Sequence, residues 1–259
     1  MMELRLIRNA TLRLDYGGVS LLIDPMLGVV GSVRALGGAA VRNPTVELPC
    51  PVTEVLDGID GVIVSHVHPD HFDDAALGLL RRNLPIMCQS PDVSTLNDAG
   101  FTDVVPIVDS ITWKGLRLTA TPGTHGTGPV ADKMGEVTGF VLRAEGEPTV
   151  YFAGDTVLYP PVLDVIDTTK PDVIVVHSGG AAIGDTLIIM DPADTVEVAL
   201  RAPDAIVVAV HFEAIALCPA TRAEMRAAAD NAAIPPARLL IPDDGETVSI
   251  NRATATVST

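Results

Sequence analysis

Hydrophobic and polar residues alternate from the start of the chain. Glu3–Ile7 and Thr11–Leu14 change face at each step, Gly17-Gly18 supplies a turn, and Val19–Ile23 is an apolar run closed by Asp24-Pro25. Period-two alternation predicts strands, here a small meander. Met26 to Pro51 is rich in Gly, Pro and small residues without a clear period. Such a stretch predicts a long loop, functional or disordered. An apolar strand, Gly61-Val62-Ile63-Val64, comes next, then a helix from about Asp74 to Arg82 with Asp73 or Asp74 as cap. Pro85–Cys88 reads as a strand and Pro91–Ala99 as a helix closed by Gly100. Strands are expected near Val104–Val108, Ile111–Trp113, Leu116–Ala120, Val137–Leu142 and Thr149–Ala153. Beyond them the pattern alternates. Helices Pro160–Ile166, Ala193–Leu200 and Ala220–Ala232 are interleaved with strands Val173–Val176, Ala205–Val210 and Arg238–Ile241. Turn-linked strands followed by helix–strand alternation predict α/β (α+β) sheets packed together under outer helices. No linker divides the chain, so residues 1–259 are expected to form a single domain.

Composition narrows the function. The chain has 259 residues, 47% of them hydrophobic and 19% charged, as in an ordinary globular protein. Only Ala253–Thr259 reads as disordered. With 17 Lys+Arg against 33 Asp+Glu the net charge is −16, which argues against nucleic acid and anionic membranes as partners. Cys50, Cys88 and Cys218 form no CxxC pair and no disulfide framework. The N-terminal residues show no signal-peptide pattern and no run is long enough to span a bilayer. A cytoplasmic enzyme acting on a small molecule is the expectation, with a homo-oligomer left open.

The sharpest chemical feature is Ser65-His66-Val67-His68-Pro69-Asp70-His71, directly after an apolar strand. So many imidazoles and carboxylates cannot all enter a core without partners. Imidazole nitrogen and carboxylate oxygen are common ligands for zinc and similar ions. In extended backbone His66 and His68 face one side, while Asp70 and His71 follow the bend at Pro69 and reach elsewhere. One short loop can thus serve two adjacent ions. Asp155 and His211 also close apolar strands, and His125 lies in a Gly-rich turn. Singly, a strand-ending Asp is often a helix cap and a lone His is more often structural. Their joint occurrence carries the argument.

His66-x-His68-x-Asp70-His71 resembles the HxHxDH signature of the metallo-β-lactamase superfamily. The family's further motifs occur here in order: Asp24 after Leu21-Leu22-Ile23, His125 in Gly123-Thr124-His125-Gly126, Asp155 in Ala153-Gly154-Asp155-Thr156, and His211 after Val207–Val210. The resemblance implies a four-layer αββα sandwich and a dinuclear site. His66, His68 and His125 would hold one metal and Asp70, His71 and His211 the other. Asp155 would bridge them, with Asp24 supporting the loop from behind. It implies two divalent metal ions, zinc first and manganese or iron as alternatives. A hydroxide generated there would attack a carbonyl or phosphoryl centre, with Asp70 or Asp155 orienting water or protonating the leaving group. His177, at the end of the strand before Ser178-Gly179-Gly180, reads equally as a loop histidine or as a contact to substrate or the metals' surroundings.

The order of motifs is most similar to the L-ascorbate-6-phosphate lactonase-like branch. That likeness implies a hydrolase of a small ester or lactone, with an anionic substrate left open. Arg42 in the long loop and Lys133 are candidates for an anionic group, although both read first as ordinary surface cations. Met26, Trp113 and Met190 read as core before pocket lining. The alternatives are a phosphodiesterase of small phosphodiesters or cyclic nucleotides, an iron-dependent oxygenase on the same fold, and a regulatory binder without catalysis.

Overall fold

A computed structural model describes residues 1–34 and 41–251, so the tail expected to be disordered, 253–259, and part of the long loop lie outside the described residues. The opening meander forms antiparallel β1 (Met2–Arg8), β2 (Thr11–Tyr16) and β3 (Val19–Ile23). Strand β3 continues in parallel into β4 (Gly61–Val64), β5 (Ile86–Cys88) and β6 (Val104–Pro106). A second sheet runs antiparallel through β7 (Ser110–Trp113), β8 (Leu116–Pro122), β9 (Thr138–Arg143) and β10 (Val150–Phe152). It then continues in parallel through β11 (Val173–His177), β14 (Ile206–Val210) and β15 (Leu239–Leu240). A short hairpin, β12 (Ala182–Ile183) with β13 (Thr186–Leu187), follows β11, and β16 (Thr247–Ile250) returns to pair with β1.

Period-two side chains explain the layers. In β10 Val150 and Phe152 face the space between the sheets, whereas Tyr151 faces outward. In β14 Ile206, Val208 and Val210 face inward, and Val207 and Ala209 outward. The inner cluster joins Leu4, Leu6, Leu12 and Leu14 of the first sheet to Leu118, Phe140, Leu142 and Val175 of the second. Helices α1 (Val52–Leu56), α2 (Asp74–Leu79) and α3 (Val93–Asp98) cover the outer face of the first sheet through Val55, Ala76 and Leu96. The second sheet is covered by α5 (Pro160–Thr169), α6 (Pro192–Arg201) and α7 (Arg222–Asn231), through Val162, Val198 and Met225. The chain is therefore a four-layer αββα sandwich. Among the described residues no helix is long and apolar enough to cross a membrane.

Local chemistry shifts some boundaries. The helix expected to reach Arg82 ends at Leu79, because Leu80 is already extended. Asp73 is its cap, accepting from the Ala76 amide. Helix α7 begins at Arg222, later than the apolar pattern suggests, because Thr221 and Glu224 form a capping box. The sequence pattern did not register α1, α4 (Pro129–Met134), the β12–β13 hairpin or β16.

Candidate metal centre

The strands of both sheets deliver their ends to one cleft. Ser65–His71 leaves β4, Asp24 leaves β3, His125 follows β8, Asp155 follows β10, His177 ends β11 and His211 follows β14. Two glycines permit the approach. Gly154 has φ +72°, turning the chain before Asp155, and a Cβ on Gly179 would lie 2.3 Å from the His211 carbonyl oxygen.

All 6 histidines of the chain meet around Asp155. Its Oδ2 lies 3.1 Å from His71 Nε2, 3.4 Å from His125 Nε2 and 3.9 Å from His66 Nε2. Its Oδ1 lies 2.6 Å from His177 Nδ1 and 3.7 Å from His211 Nε2. Asp70 Oδ2 is 3.3 Å from His211 Nε2 and 3.7 Å from His71 Nε2. His66 Nε2 and His68 Nδ1 face each other at 2.9 Å, and with His125 they form a cluster whose donor atoms lie within 4.8 Å of one another. His71, Asp155, His177 and His211 form a second such cluster.

Partners behind the rings fix which nitrogen faces inward. Asp24 accepts from the Ser65 amide and hydroxyl, each at 2.7 Å, and meets His71 Nδ1 at 2.8 Å. That contact turns His71 Nε2 toward Asp155. Nδ1 of His125 donates to the Ile188 carbonyl at 2.7 Å, which turns its Nε2 inward as well. His211 Nδ1 lies 3.4 Å from Cys218 Sγ. Carbonyl or carboxylate partners of this kind orient metal-binding imidazoles.

The electrostatics separate the imidazoles into two groups. Burial pushes His66 well below its ordinary value, reinforced by neighbouring His71; burial also lowers His68 and His177 against the pull of Asp70 and Asp155 respectively. These three keep their lone pairs. For His71, burial is outweighed by Asp155, Asp70 and Asp24, and for His211 by Cys218, Asp155 and Asp70, so both are raised well above the ordinary histidine value. Burial would raise Asp155 and Asp70, yet His71 and His211 hold both carboxyls far below their usual range. Protons on His71 and His211 thus occupy the place of a positive charge among buried carboxylates.

A cation fits this donor set. His71 Nε2 is buried without a hydrogen-bond partner of good geometry, although Asp155 Oδ2 lies 3.1 Å away. Buried polar atoms are rarely left so. Neutral imidazoles and ionised carboxylates, nitrogen and oxygen donors together, are what zinc and its neighbours in the first transition row accept.

The structure brings His66, His68, Asp70, His71, His125, Asp155 and His211 together, with Asp24 behind them. His177, left open by the sequence, joins them. Arg42 and Lys133 do not. Arg42 is exposed and donates to the carbonyls of Gly31 and Ser32, and Lys133 is exposed on α4, where Met134 is the residue that turns inward. The cleft is instead bordered by Ala181, Ile188, Ile189, Ile215, Leu217 and Cys218 beside Asp70, His125, Asp155 and His211. Met26 belongs to the same apolar cluster, whereas Met190 and Trp113 pack in the two sheet-facing cores. Sequence reasoning missed Asn9. It is buried at φ +59°, donates to the Asp70 carbonyl at 3.1 Å, lies 3.4 Å from His211 Nε2, and accepts from the His211 amide at 3.0 Å. Its only sequence signal is an Asn at a tight strand turn, which is ordinary turn chemistry.

Comparison with known proteins agrees with this fold. The profile of the family described as "Beta-lactamase superfamily domain" matches residues 20–212. UPF0173 protein YddR of Bacillus subtilis is 36% identical over 251 residues, covering 95% of this chain and 98% of the relative. A possible metal-dependent hydrolase from Veillonella parvula superposes with a TM-score of 0.92 at 33% identity, covering 95% of this chain and 98% of that one. An isothiocyanate hydrolase from Delia radicum gut bacteria superposes with a TM-score of 0.90 at 36% identity, covering 96% and 99%. The chain belongs to the metallo-β-lactamase superfamily, among the metal-dependent hydrolases of the UPF0173 group.

Proposed function

We propose that this chain hydrolyses a small, uncharged, largely apolar electrophile, with an organic isothiocyanate as the leading substrate class. The observation that carries the reading is the wall of Ala181, Ile188, Ile189, Ile215 and Leu217 set directly against Asp70, Asp155 and His211. Among the described residues lining that cleft there is no Arg or Lys to receive a phosphate or carboxylate. The anionic group that the sequence reading left open has no cationic partner among those residues. A similar protein, the isothiocyanate hydrolase at 36% identity, acts on a substrate with the chemistry this wall suits.

His66, His68 and His125 would hold one divalent ion and Asp70, His71 and His211 a second, with Asp155 between them; zinc is the first choice for the donor set. When bound, such a pair supplies hydroxide at neutral pH and positive charge for the atom that gains electrons. The residues do the rest. His177 fixes Asp155 through Oδ1. Asp70, held ionised, would orient the attacking oxygen and pass a water proton on to the leaving group. For an isothiocyanate, water oxygen bonds to the central carbon and the C–N bond breaks. Nitrogen receives both water protons, giving amine and carbonyl sulfide. A neutral ester or lactone is attacked in the same geometry and is the second reading, favoured by the same apolar wall.

The test is a panel of isothiocyanates, neutral lactones and esters, and phosphodiesters, offered to protein loaded separately with zinc, manganese and iron. Turnover of isothiocyanates that His68→Ala and Asp155→Ala each abolish is the expected result. Turnover confined to phosphodiesters overturns the proposal.

A further inference from the structure

Wall and metal centre share one loop, and that loop is held in an unfavourable backbone. His211 and Glu213 both have positive φ, +69° and +61°, a conformation that side-chain-bearing residues adopt only when their surroundings enforce it. Within eight residues the same segment supplies His211 to the centre and Ile215, Leu217 and Cys218 to the wall. Its enforcement comes from far away in the sequence. Asn43 is buried, 4% exposed, and its Oδ1 accepts from the Ala216 amide at 2.9 Å. The Thr45 amide donates to the Ala214 carbonyl at 2.9 Å, and its hydroxyl donates to the Glu213 carbonyl at 2.6 Å. Three bonds from one short strip thus grip residues 213, 214 and 216 in turn.

The strip is itself anchored. Asn43 exchanges two backbone hydrogen bonds with Val33, at 2.7 and 2.8 Å. Arg8, fully buried, donates to the carbonyls of Met26, Gly28 and Val46, so one guanidinium ties both ends of the long loop to β1. Asp73, the cap of α2 just beyond His71, accepts from the Gly28 amide at 2.7 Å. A continuous line of hydrogen bonds therefore runs from β1, through the loop that follows β3, to the segment carrying His211.

We infer that Asn43, assisted by Thr45, is a positioning residue for the substrate wall. It fixes how far Ile215, Leu217 and Cys218 stand from Asp155, and so how large an organic group the centre accepts. The long loop contributes to specificity through this brace, not through Arg42. The specificity clause rests on the proposed function; the brace does not.

Cys218 provides a readout independent of any substrate, because it is 7% exposed and releasing the wall uncovers it. In a Cys50→Ser background, N-ethylmaleimide labelling of Cys218 is followed by peptide mass spectrometry in the parent, Asn43→Ala and Asn43→Asp proteins. Asn43→Ala removes the acceptor and is expected to speed labelling by about tenfold, the scale set by one buried hydrogen bond on a local opening. Asn43→Asp keeps the acceptor oxygen and is expected to return the rate to within about threefold of the parent. If Asn43→Ala does not fold, Thr45→Val, which removes only the hydroxyl bond, is expected to give a smaller acceleration of the same kind. With turnover established, Asn43→Ala also shifts relative kcat/KM toward bulkier substrates while Asn43→Asp does not. A folded Asn43→Ala or Thr45→Val protein that labels at the parental rate overturns the brace. Accelerated labelling in a protein that hydrolyses no isothiocyanate, ester or lactone leaves the brace standing and removes the proposed function instead.

Discussion

His177 and Asp155 are joined by a 2.6 Å contact from Nδ1 to Oδ1, so the carboxylate presents its other oxygen to His66, His71 and His125. His177→Ala frees that carboxylate to rotate. Loss of a comparable orienting partner typically costs about 10–100-fold in metal affinity or activity. The alanine variant is expected to fall in that range for kcat/KM and for zinc affinity. His177→Asn, whose side-chain amide can replace Nδ1–H, is expected to recover most of both. Parental zinc affinity and turnover in His177→Ala would show that the contact is incidental.

Asp24 accepts three hydrogens, two from Ser65 and one from His71 Nδ1. Asp24→Asn replaces one acceptor with a donor facing a donor, and His71 loses the partner that turns Nε2 inward. Zinc affinity, measured by competition with a chromophoric chelator, is expected to fall by about 10–100-fold while the fold persists. Unchanged affinity would detach Asp24 from the centre.

Metal removal makes stability strongly dependent on pH. His71 and His211, both raised in the folded chain, add stability in full below about pH 6.5, and it is lost as pH rises through their higher folded values. His66, His68 and His177, all lowered, act oppositely, and their cost grows as pH falls from about 6.5 through their lower folded values. The Tm of chelator-treated protein is therefore expected to peak near pH 6.5. Zinc bound as proposed would displace the protons of His71 and His211, so the Tm increment on adding zinc is expected to grow between about pH 6.5 and 8. A chelated protein whose Tm climbs steadily across that interval contradicts the assignment of the two protonated imidazoles.

Arg8 donates through Nη1 and Nη2 to three carbonyls, and among the described residues no carboxylate forms an ion pair with it. Arg8→Met keeps most of the volume but leaves those carbonyls buried without a donor. Urea unfolding is expected to register a loss of about 3 kcal/mol, and a loss under about 1 kcal/mol would mean the loop finds other partners.

Much of this molecule was legible from periodicity. Strands buried on both faces, such as Val62–Val64 and Ile206–Val210, announce themselves as apolar runs, and polar residues at their ends mark the cleft. The HxHxDH spacing named half of the side chains that meet there, His66, His68, Asp70 and His71. What stayed hidden depends on contacts between distant segments. β16 pairs with β1 across nearly the whole chain, and α4 and the β12–β13 hairpin are too short for a periodic signal. Asn9 and Asn43 look like turn residues until their partners, Asp70 with His211 and Ala216 respectively, are brought alongside. Arg42, read first as a surface cation and second as an anion contact, is exposed in the structure. A cation near a cleft in sequence attracts an anion-binding reading, but backbone carbonyls of its own loop had already claimed it.

The centre draws on both sheets, and this sets a timetable for the chain's birth. His66–His71 emerge from the ribosome long before Asp155, and His211 emerges later still. A nascent chain therefore carries only a fragment of the donor set, which is complete only once the second sheet has closed on the first. A metal taken up by that complete set is thus taken up by a folded chain, so loading follows folding.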